Sequence, residues 1–325
     1  MHMVRWMRVA GASGVLAAVL GASTGAQAQD FPSKPVRIVV GFTPGGGADM
    51  AARLIAQKMN DAWKRQVLVD NRPGAGGNLA SELVAKAPPD GHTLLLMPGP
   101  SAPGLYPKLG FDPRKDFTAV TLLGQSPNLL VVHPSVPVAN ARQLIALAKH
   151  HAAGLAYASS GVGITPHLAA ELFGKMAGVR LLHVMYKGAG PAVIDLAGGR
   201  VDMMIVSIPS VLGMVKANRL KVLAATSAKR SAVFPELPTL AESALPGFEV
   251  YQWWSLMGPA GIPRDVLGRL HATAVAGLAD PDIRRRFADE GADVIGNSPA
   301  EFDAFYRKEL DKWDGVVAAA KITLQ

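Results

Sequence analysis

Cysteine is absent from all 325 residues of the chain. This absence excludes a disulfide scaffold, thiolate zinc sites, a cysteine nucleophile and a lipid-modified N-terminal cysteine. Aromatic residues make up only 6% and charged residues 18%, whereas hydrophobic residues reach 49%, a globular composition that excludes wholesale disorder. The length predicts about two domains and is sufficient for a core that needs no covalent staples.

Acidic residues are the minority charge, with 25 against 33 basic ones, so the formal net charge is +8. A basic chain favours anionic partners, which include nucleic acid, an anionic membrane and small acids. The lysines and arginines are scattered singly, without the aromatic interleaving of a nucleic-acid surface. We therefore expect no nucleic-acid partner.

Residues 1–28 have the pattern of a secretory signal. Arg5 and Arg8 precede an apolar stretch of 14 residues, and Ala26-Gln27-Ala28 forms a small-x-small cleavage site. The alternative is a retained membrane anchor, but a spanning helix needs about 20 apolar residues. We predict export to the periplasm and cleavage after Ala28, which leaves 297 residues with 31 basic and 25 acidic side chains.

Short apolar strands alternate with amphipathic helices in the rest of the chain, and no later hydrophobic run reaches membrane length. This alternation predicts an α/β fold with parallel sheets covered by helices. We expect two lobes, the first formed by residues 29–128 and 253–325 and the second by 129–252. Extended crossings at about 125–130 and 248–256 would join them. The three C-terminal helices are expected to pack on the first lobe.

The last of these helices has a clear start signal. Ser298 fits the N-cap, Pro299 the first helical position and Glu301 the third, a combination that forms a capping box. The pattern predicts a helix over 299–320.

The first candidate binding element runs from Gly41 to Asp49, between a predicted strand and a predicted helix. Three consecutive glycines let the main chain approach a ligand closely. N–H groups of a first helical turn have no partner within the helix, and the helix dipole favours an anion there. Asp49 is typical of an N-cap or first-turn acid that accepts main-chain hydrogen bonds. The candidate binding residues are Phe42, Thr43, Pro44, Gly45, Gly46, Gly47 and Asp49.

The second candidate element, residues 159–167, also lies between a strand and a helix. Its two serines and two glycines offer another set of hydrogen-bond donors at the carboxyl end of a strand, where open α/β sheets bind ligands. A glycine-rich loop between a strand and a helix is a tight structural connection as often as it is a binding site. Two such loops in an exported chain favour a ligand-binding role. The candidates are Ser159, Ser160, Gly161, Gly163 and His167, of which His167 is more typical of a bracing residue.

Common cofactor and catalytic motifs fail in this sequence. No lysine follows Gly45–Gly47 as a Walker loop needs, and every GxGxxG trial lacks its last glycine. Tyr157 stands where the nucleophile motif GxSxG requires a glycine. His167 and Glu171 are four residues apart, yet no third ligand accompanies them. We therefore expect no metal, no cofactor and no catalytic residue.

Several other residues are weaker candidates. Lys187 follows a strand and precedes three small residues, and Ser207 ends a strand that leads towards the expected cleft. Trp253-Trp254 is predicted to pack in the core or hinge rather than to form a stacking platform. The segment 71–78 is predicted to be a turn that starts a helix.

The chain resembles the Bug-type substrate-binding receptors of tripartite tricarboxylate transporters over essentially its full length. The resemblance rests on the order and spacing of several segments, which are FTPGGGAD at 42–49, DNRPGAGGN at 70–78, APPDGHTLLL at 87–96, HPSVP at 133–137, ASSGVGITPHLAAELF at 158–173, YKGAGPAVIDLAGGRVDMM at 186–204 and LPGFEVYQWWSLMGPAGIP at 245–263.

The resemblance implies a hinged, two-lobe periplasmic-binding-protein fold of the Venus flytrap type. It implies that a small organic carboxylate is gripped by main-chain groups of Thr43–Gly47 and Ser159–Gly163, and that a membrane permease receives it. Selectivity is expected at Met97–Ser101, and therefore at Ser101, and at Ser207. Many relatives carry an aspartate in place of Ser207, so an amino-acid ligand is disfavoured. We expect a monomer.

Two other functions stay open at this point. A secreted serine hydrolase would use Ser159 or Ser160 with His167, and it would need an exposed nucleophile and an acid partner for the histidine. A sensor would pass ligand occupancy to an envelope signalling protein.

Overall fold

The computed structural model describes residues 31–322 except 100, 101, 103, 104, 107, 187, 231–233 and 290. The predicted signal, residues 1–28, lies outside the described residues. Over the described part of the chain, no helix is both long enough and apolar enough to cross a membrane.

Helices and strands alternate through most of the described chain. The strands are β1 (Val36–Val40), β2 (Val67–Asn71), β3 (Thr93–Gly99), β4 (Phe117–Val132), β5 (Leu155–Ser159), β6 (Leu181–Met185), β7 (Met203–Ser207), β8 (Lys221–Ala225), β9 (Tyr251–Pro259) and β10 (Asp293–Val294). The α-helices are α1 (Gly47–Trp63), α2 (Asn78–Ala85), α3 (Ala141–His150), α4 (Thr165–Ala177), α5 (Ala189–Ala197), α6 (Ile208–Lys216), α7 (Leu240–Ser243), α8 (Arg264–Leu278), α9 (Pro281–Asp289) and α10 (Pro299–Ala320).

The first lobe is built on three parallel strands. β1 pairs with β2 on one side and with β3 on the other, and all of its residues except Arg37 are buried. A run of apolar residues buried on both faces is what a parallel strand between two helical layers requires. β3 then pairs antiparallel with β9, and β9 pairs antiparallel with the first part of β4.

The second lobe repeats this plan. β5 lies between β6 and β7 in parallel pairing, and β7 and β8 each pair antiparallel with the last part of β4. Tyr157 of β5 and Phe173 of α4 are fully buried in the core of this lobe. The predicted α/β fold with two lobes is thereby confirmed, and the antiparallel pairs occur where strands pass between the lobes.

β4 is a single strand of 16 residues that belongs to both lobes. Residues 117–127 pair with β9, whereas residues 128–132 pair with β7 and β8. Taken alone, the apolar pattern predicts two separate strands, at 119–123 and 129–133, because Gly124 to Asn128 interrupt it. These residues remain in the ladder, since the sheet continues from one lobe into the other. The exact lobe boundaries at 128/129 and 252/253 stay a prediction.

The C-terminal helix α10 also belongs to both lobes. Its capping box is confirmed, because Ser298 Oγ accepts from the Glu301 N–H and Glu301 in turn accepts from the Ser298 N–H. The first half of α10 packs in the first-lobe core through Phe302, Tyr306 and Leu310. The second half packs in the second-lobe core through Trp313, Val316 and Val317. The sequence had predicted that these three residues lie on the first lobe. The expectation that α10 packs on the first lobe therefore holds only for its first half, because its apolar stripe extends past Leu310.

Glu309 lies where the packing of α10 passes from one lobe to the other. Its Oε2 accepts a hydrogen bond from Trp253 Nε1 at 3.1 Å and another from Trp313 Nε1 at 2.9 Å. Trp253 belongs to the first-lobe core and Trp313 to the second-lobe core, and both are fully buried. One carboxylate thus satisfies an indole N–H from each lobe.

We expect Glu309→Ala to lower the free energy of unfolding by about 2 to 6 kcal/mol, because it leaves two buried indole N–H groups without an acceptor and each costs about 1 to 3 kcal/mol. Glu309→Gln keeps an acceptor oxygen and should lose about half as much. Urea unfolding followed by tryptophan fluorescence measures both. Asp303→Ala, which removes an exposed ion pair with Arg307 on the same helix, is the control and should cost less than about 1 kcal/mol. Equal losses for Glu309→Ala and Asp303→Ala would contradict this role.

Candidate functional site

A cleft of about 570 Å³ lies between the two lobes. Its walls come from the carboxyl ends of the parallel strands, and its floor comes from β4 and β9 where they cross between lobes. The floor includes Ser126, Asn128 and Gln252, and the apolar wall includes Met97 and Trp254. The cleft therefore lies at the edge of each sheet where α/β proteins bind ligands.

Five helices begin at this cleft. The residues that line it include first-turn or preceding residues of α1, α2, α4, α5 and α6, which are Gly45–Ala48, Gly76–Asn78, Gly163–Pro166, Ala189, Ser207, Pro209 and Ser210. The first turn of a helix has N–H groups without partners inside the helix, and its dipole places partial positive charge there. The cleft is consequently surrounded by main-chain donors from both lobes.

None of the described residues that line the cleft is acidic or basic. The polar side chains in the lining are hydroxyls and amides, together with exposed main-chain groups. Groups of His, Asp and Glu that could hold a metal ion are also absent from the described residues. Positive potential in the described lining therefore comes from peptide dipoles rather than from side-chain cations.

The loop before α1 is held in place by Asp49. The Asp49 carboxylate accepts from the Gly45 N–H at 3.0 Å, from Arg53 Nε at 2.9 Å and from Asn71 Nδ2 at 3.1 Å. Burial by itself raises the pKa of Asp49, but the hydrogen bonds from Arg53, Gly45 and Asn71 lower that pKa on balance. The N-cap position is occupied by Gly46 instead. Asp49 thus fixes the loop from below and is not itself in the cleft lining.

Close packing explains one glycine of the loop before α1, and backbone conformation explains another. A Cβ on Gly41 would lie 2.6 Å from Gly77 Cα, so a larger residue at position 41 would force the two loops apart. Gly45 has φ near 90°, a region that residues with a Cβ rarely adopt. These backbone positions bring the loops before α1 and α2 side by side at the cleft.

The loop before α4 is held by side chains beneath it. Ser159 Oγ lies 2.6 Å from His183 Nε2 and 3.0 Å from the Gly161 carbonyl oxygen. The Gly163 N–H donates to His167 Nδ1 at 3.0 Å. Ser159 is 0% exposed and His167 is 3% exposed, so both brace the loop from the interior.

His167, His183 and Tyr157 form a stack under this loop. The ring centroids of His167 and His183 are 4.2 Å apart, and those of His183 and Tyr157 are 4.8 Å apart. Burial, together with the neighbouring His183, lowers the pKa of His167 to about 4. Burial also lowers the pKa of His183 and raises that of Glu171, whose Oε1 accepts from the Tyr157 hydroxyl at 2.5 Å. His167 is therefore neutral at pH 7 and accepts through Nδ1.

The residues predicted for the site are brought together by the fold in three groups. Those in the cleft lining are Phe42, Thr43, Gly45, Gly46, Gly47, Ser160, Gly163 and Ser207. Those in the same loops or helices that do not line the cleft are Pro44, Asp49, Ser159, Gly161 and His167. Ser101 and Lys187 lie outside the described residues.

Several lining residues were missed by the sequence reasoning. They include Asn78, Ser81, Tyr106, Asn128 and Gln252. Asn78 had a usable signal, because it follows β2 and starts a helix in the manner of the two loops that were predicted. Segment 71–78 is the predicted turn before a helix, and its last residues also line the cleft. Asn128 and Gln252 lie within strands and gave no loop signal.

The tryptophan pair is divided between core and cleft. Trp253 is fully buried in the first-lobe core, as predicted. Trp254, at 5% exposed, packs against the start of α1, where a Cβ on Gly47 would lie 3.0 Å from its ring, and it also lines the cleft. A buried packing role for both residues is thus confirmed, and Trp254 adds an aromatic surface to the wall.

The geometry does not favour a serine hydrolase. Of the two candidate serines, Ser159 contacts His183 rather than His167, and its hydroxyl is sealed from solvent. His167 Nδ1 is occupied by the Gly163 N–H. A nucleophile must reach its substrate, so this pair lacks the access that acyl transfer requires.

Sequence comparison assigns the family. The profile described as "Tripartite tricarboxylate transporter family receptor" (TctC) matches residues 51–322, which is most of the chain.

The chain belongs to this receptor family.

Two curated relatives cover nearly its whole length. A UPF0065 protein from the tcbD-tcbE intergenic region of Pseudomonas sp. (strain P51) is 40% identical over 318 residues, which cover 95% of this chain and 94% of that protein. Protein BugT of Bordetella pertussis is 34% identical over 322 residues, with 98% of each chain covered. The predicted Bug-type receptor family is thereby confirmed.

Solved structures share the two-lobe fold of this TctC receptor. R. palustris Rpa4515 with adipate is 36% identical with a TM-score of 0.78, covering 90% of this chain and 99% of that one. The periplasmic binding protein BugD is 34% identical with a TM-score of 0.77, covering 91% and 100%. MatC from Rhodopseudomonas palustris with bound malate is 33% identical with a TM-score of 0.77, covering 88% and 100%.

The histidine stack of this TctC receptor predicts an acid-labile second lobe. A histidine whose pKa falls from 6.5 to about 4 on folding stabilises the fold above pH 6.5, and this stability is lost as the pH falls towards 4. Between pH 7.5 and 4.5 the loss from His167 should be about 2 to 3 kcal/mol. His183 acts in the same direction, whereas Glu171 acts in the opposite one.

Urea unfolding of the wild type and of His167→Gln at the two pH values measures this contribution. Glutamine offers Gly163 an acceptor but does not titrate, so the pH dependence should shrink in the variant. His150→Gln, at an exposed position on α3, should keep the wild-type dependence. An unchanged dependence in His167→Gln would show that His167 is not the titrating group.

Proposed function

We propose that the chain is a receptor that captures a small organic carboxylate between its two lobes and delivers it to the permease of a tripartite tricarboxylate-type transporter. The observation that carries this proposal is the convergence of five helix N-termini on one cleft whose described lining has no charged side chain. Main-chain N–H groups recognise anions, and acidic side chains that would repel a carboxylate are absent from the described lining.

The energetics are adequate for transport affinities. Each helix N-terminus contributes about 0.3 to 1 kcal/mol towards an anion, and up to about 2 kcal/mol when partly buried. Charge-assisted hydrogen bonds contribute about 1.5 to 3 kcal/mol each. Four or five such bonds, after the costs of ordering and desolvation, support micromolar binding, which corresponds to about −8 kcal/mol.

Relatives with known ligands support the carboxylate class. Rpa4515 is described with adipate and MatC with bound malate, and both are more than 30% identical to this chain. The binding residues in our proposal are the lining positions Thr43, Gly45–Gly47, Ser160, Gly163 and Ser207. Pro44, Asp49, Ser159, Gly161 and His167 support these loops from outside the lining.

Cellular location and delivery complete the proposal. Residues 1–28 direct export, cleavage follows Ala28, and the mature protein works in the periplasm as a monomer. Residues 29–128 and 253–325 form one lobe and residues 129–252 the other, apart from the second half of α10. A ligand that contacts both lobes stabilises the closed form as far as it binds that form better. The closed form is the one that the permease recognises.

A carboxylate screen by thermal shift tests the ligand class. We expect at least one mono-, di- or tricarboxylate to raise the unfolding midpoint in a saturable way, since a ligand that binds only the folded state stabilises it by mass action. The matching neutral amides should give no shift, because they lack the charge that the helix termini favour. The bound acid should be recovered unchanged after prolonged incubation, as expected of a receptor without catalytic residues. Chemical turnover of the acid, or shifts from amides equal to those from acids, would refute the proposal.

Gly46 allows a single main-chain donor to be removed. Among the described contacts its N–H donates to no protein acceptor, its φ of −89° is within about 25° of the value that proline adopts, and a Cβ there would meet nothing within 4 Å. Gly46→Pro should therefore weaken carboxylate binding about 10- to 100-fold through loss of one charge-assisted hydrogen bond. Gly46→Ala, which keeps the N–H, should stay within about threefold of wild type. Isothermal titration calorimetry distinguishes them, and equal affinities would remove the Gly46 N–H from the site.

A further inference from the structure

Asn128 has a buried amide that no protein group satisfies. The residue lines the cleft floor and is 1% exposed, and its Nδ2 has no hydrogen-bond partner within the described part of the chain. Its main-chain groups are both occupied by Thr226, since the Asn128 N–H donates to Thr226 Oγ1 at 2.8 Å and the Thr226 N–H donates to the Asn128 carbonyl at 2.9 Å. A buried polar group left unsatisfied costs about 1 to 3 kcal/mol. A group retained at that cost, on the floor of a binding cleft, indicates a bound partner.

The neighbours of Asn128 are also hydrogen-bonding groups. Asn128 is directly opposite Ser207 in the β4–β7 ladder, so their side chains lie on the same face of the sheet. Ser207 is the N-cap of α6, and its Oγ lies 2.9 Å from Ser210 Oγ in the first turn of that helix. Both serines line the cleft. An amide donor, two hydroxyls and a helix N-terminus thus converge at the second-lobe end of the floor.

This cluster is separate from the loop that precedes α1. Gly45–Gly47 belong to the first lobe, whereas Asn128 and Ser207 lie where β4 enters the second lobe. The amide nitrogen can only donate, so the group that it binds must be a hydrogen-bond acceptor. An acidic neighbour that would pair a ligand ammonium group is absent from the described lining.

We propose that Asn128 Nδ2 donates to a second acceptor group of the ligand, and that the preferred ligands are therefore dicarboxylates rather than monocarboxylates of the same length. This inference rests on the proposed function, in which the first carboxylate is held by the helix termini. Asn128 is then a specificity-determining residue on the floor of the cleft, in the part of β4 that pairs with the second lobe.

The test compares acids of equal length. Calorimetric titrations with succinate, glutarate, adipate, pimelate and suberate are each paired with the straight-chain monocarboxylate of the same carbon number. The wild type should bind at least one diacid about 10- to 100-fold more tightly than its monoacid, as one charge-assisted hydrogen bond gives. Asn128→Leu, which keeps the volume without the donors, should lose most of that preference while its monoacid affinity changes less than about threefold.

Folding is checked independently of binding. Removal of an unpaired buried amide should leave the thermal midpoint of the ligand-free protein equal to or above that of the wild type. Asn60→Leu makes the same replacement at an exposed position of α1 that does not line the cleft, and it should keep the wild-type preference for diacids. A large fall in the midpoint of Asn128→Leu would assign the amide a structural role and overturn the inference.

Asn128→Asp provides a second, isosteric variant with an opposite expectation. A carboxylate at this position accepts hydrogen bonds and repels a second anionic group. The variant should lose the diacid and gain affinity for the ω-amino acid of the same length, for example 6-aminohexanoate in place of adipate. This reversal cannot result from general damage to the cleft.

The outcomes separate the two proposals. If acids bind but the wild type does not prefer any diacid, or if Asn128→Leu weakens monoacids and diacids equally, the inference about Asn128 is wrong while the receptor function stands. If no mono-, di- or tricarboxylate binds the wild type at all, the proposed function fails and the inference fails with it.

Discussion

The architecture depends on one constraint of parallel β-sheets, namely that the strands of a sheet all end at the same edge. Each strand-to-helix connection at that edge presents the start of a helix, with its unpaired N–H groups. Because the two lobes turn these edges towards each other, five helix starts surround a single cleft. In our proposal, anion recognition follows from the order of strands and helices and requires no cation in the described lining.

Two titratable side chains, Asp49 and His167, support the cleft loops from beneath the surface. Asp49 holds the Gly45 N–H, and the neutral His167 holds the Gly163 N–H. Each group takes one main-chain donor out of use and leaves neighbouring donors directed at the cleft. Because the described lining carries no charged side chain, we expect it to form no fixed salt bridge with a bound acid, so that acids of different shape can be accommodated.

Much of this arrangement could be read from the sequence. The alternation of apolar runs with amphipathic segments predicted the α/β fold, and glycine-rich segments identified the loops before α1 and α4, since close main-chain approach requires glycine there. The starts of α5 and α6 were only weaker candidates, through Lys187 and Ser207, and the start of α2 was predicted to be a structural turn. Asn128 could not be predicted, since its significance comes from pairing with Ser207 and Thr226, which are distant in sequence. The two strands predicted on either side of residue 125 merged into β4 for a similar reason, because tertiary pairing outweighed the local break in apolar pattern.

Helix α10 has a mechanical consequence for how the cleft can open. Its 22 residues extend for about 33 Å as a stiff rod, and each end is anchored by large side chains in a different globular body. A rod fixed in this way resists stretching and shear. We therefore expect the two lobes to rotate about its long axis more easily than they separate. Entry of a solute is therefore expected to require a rotation of small amplitude about this axis.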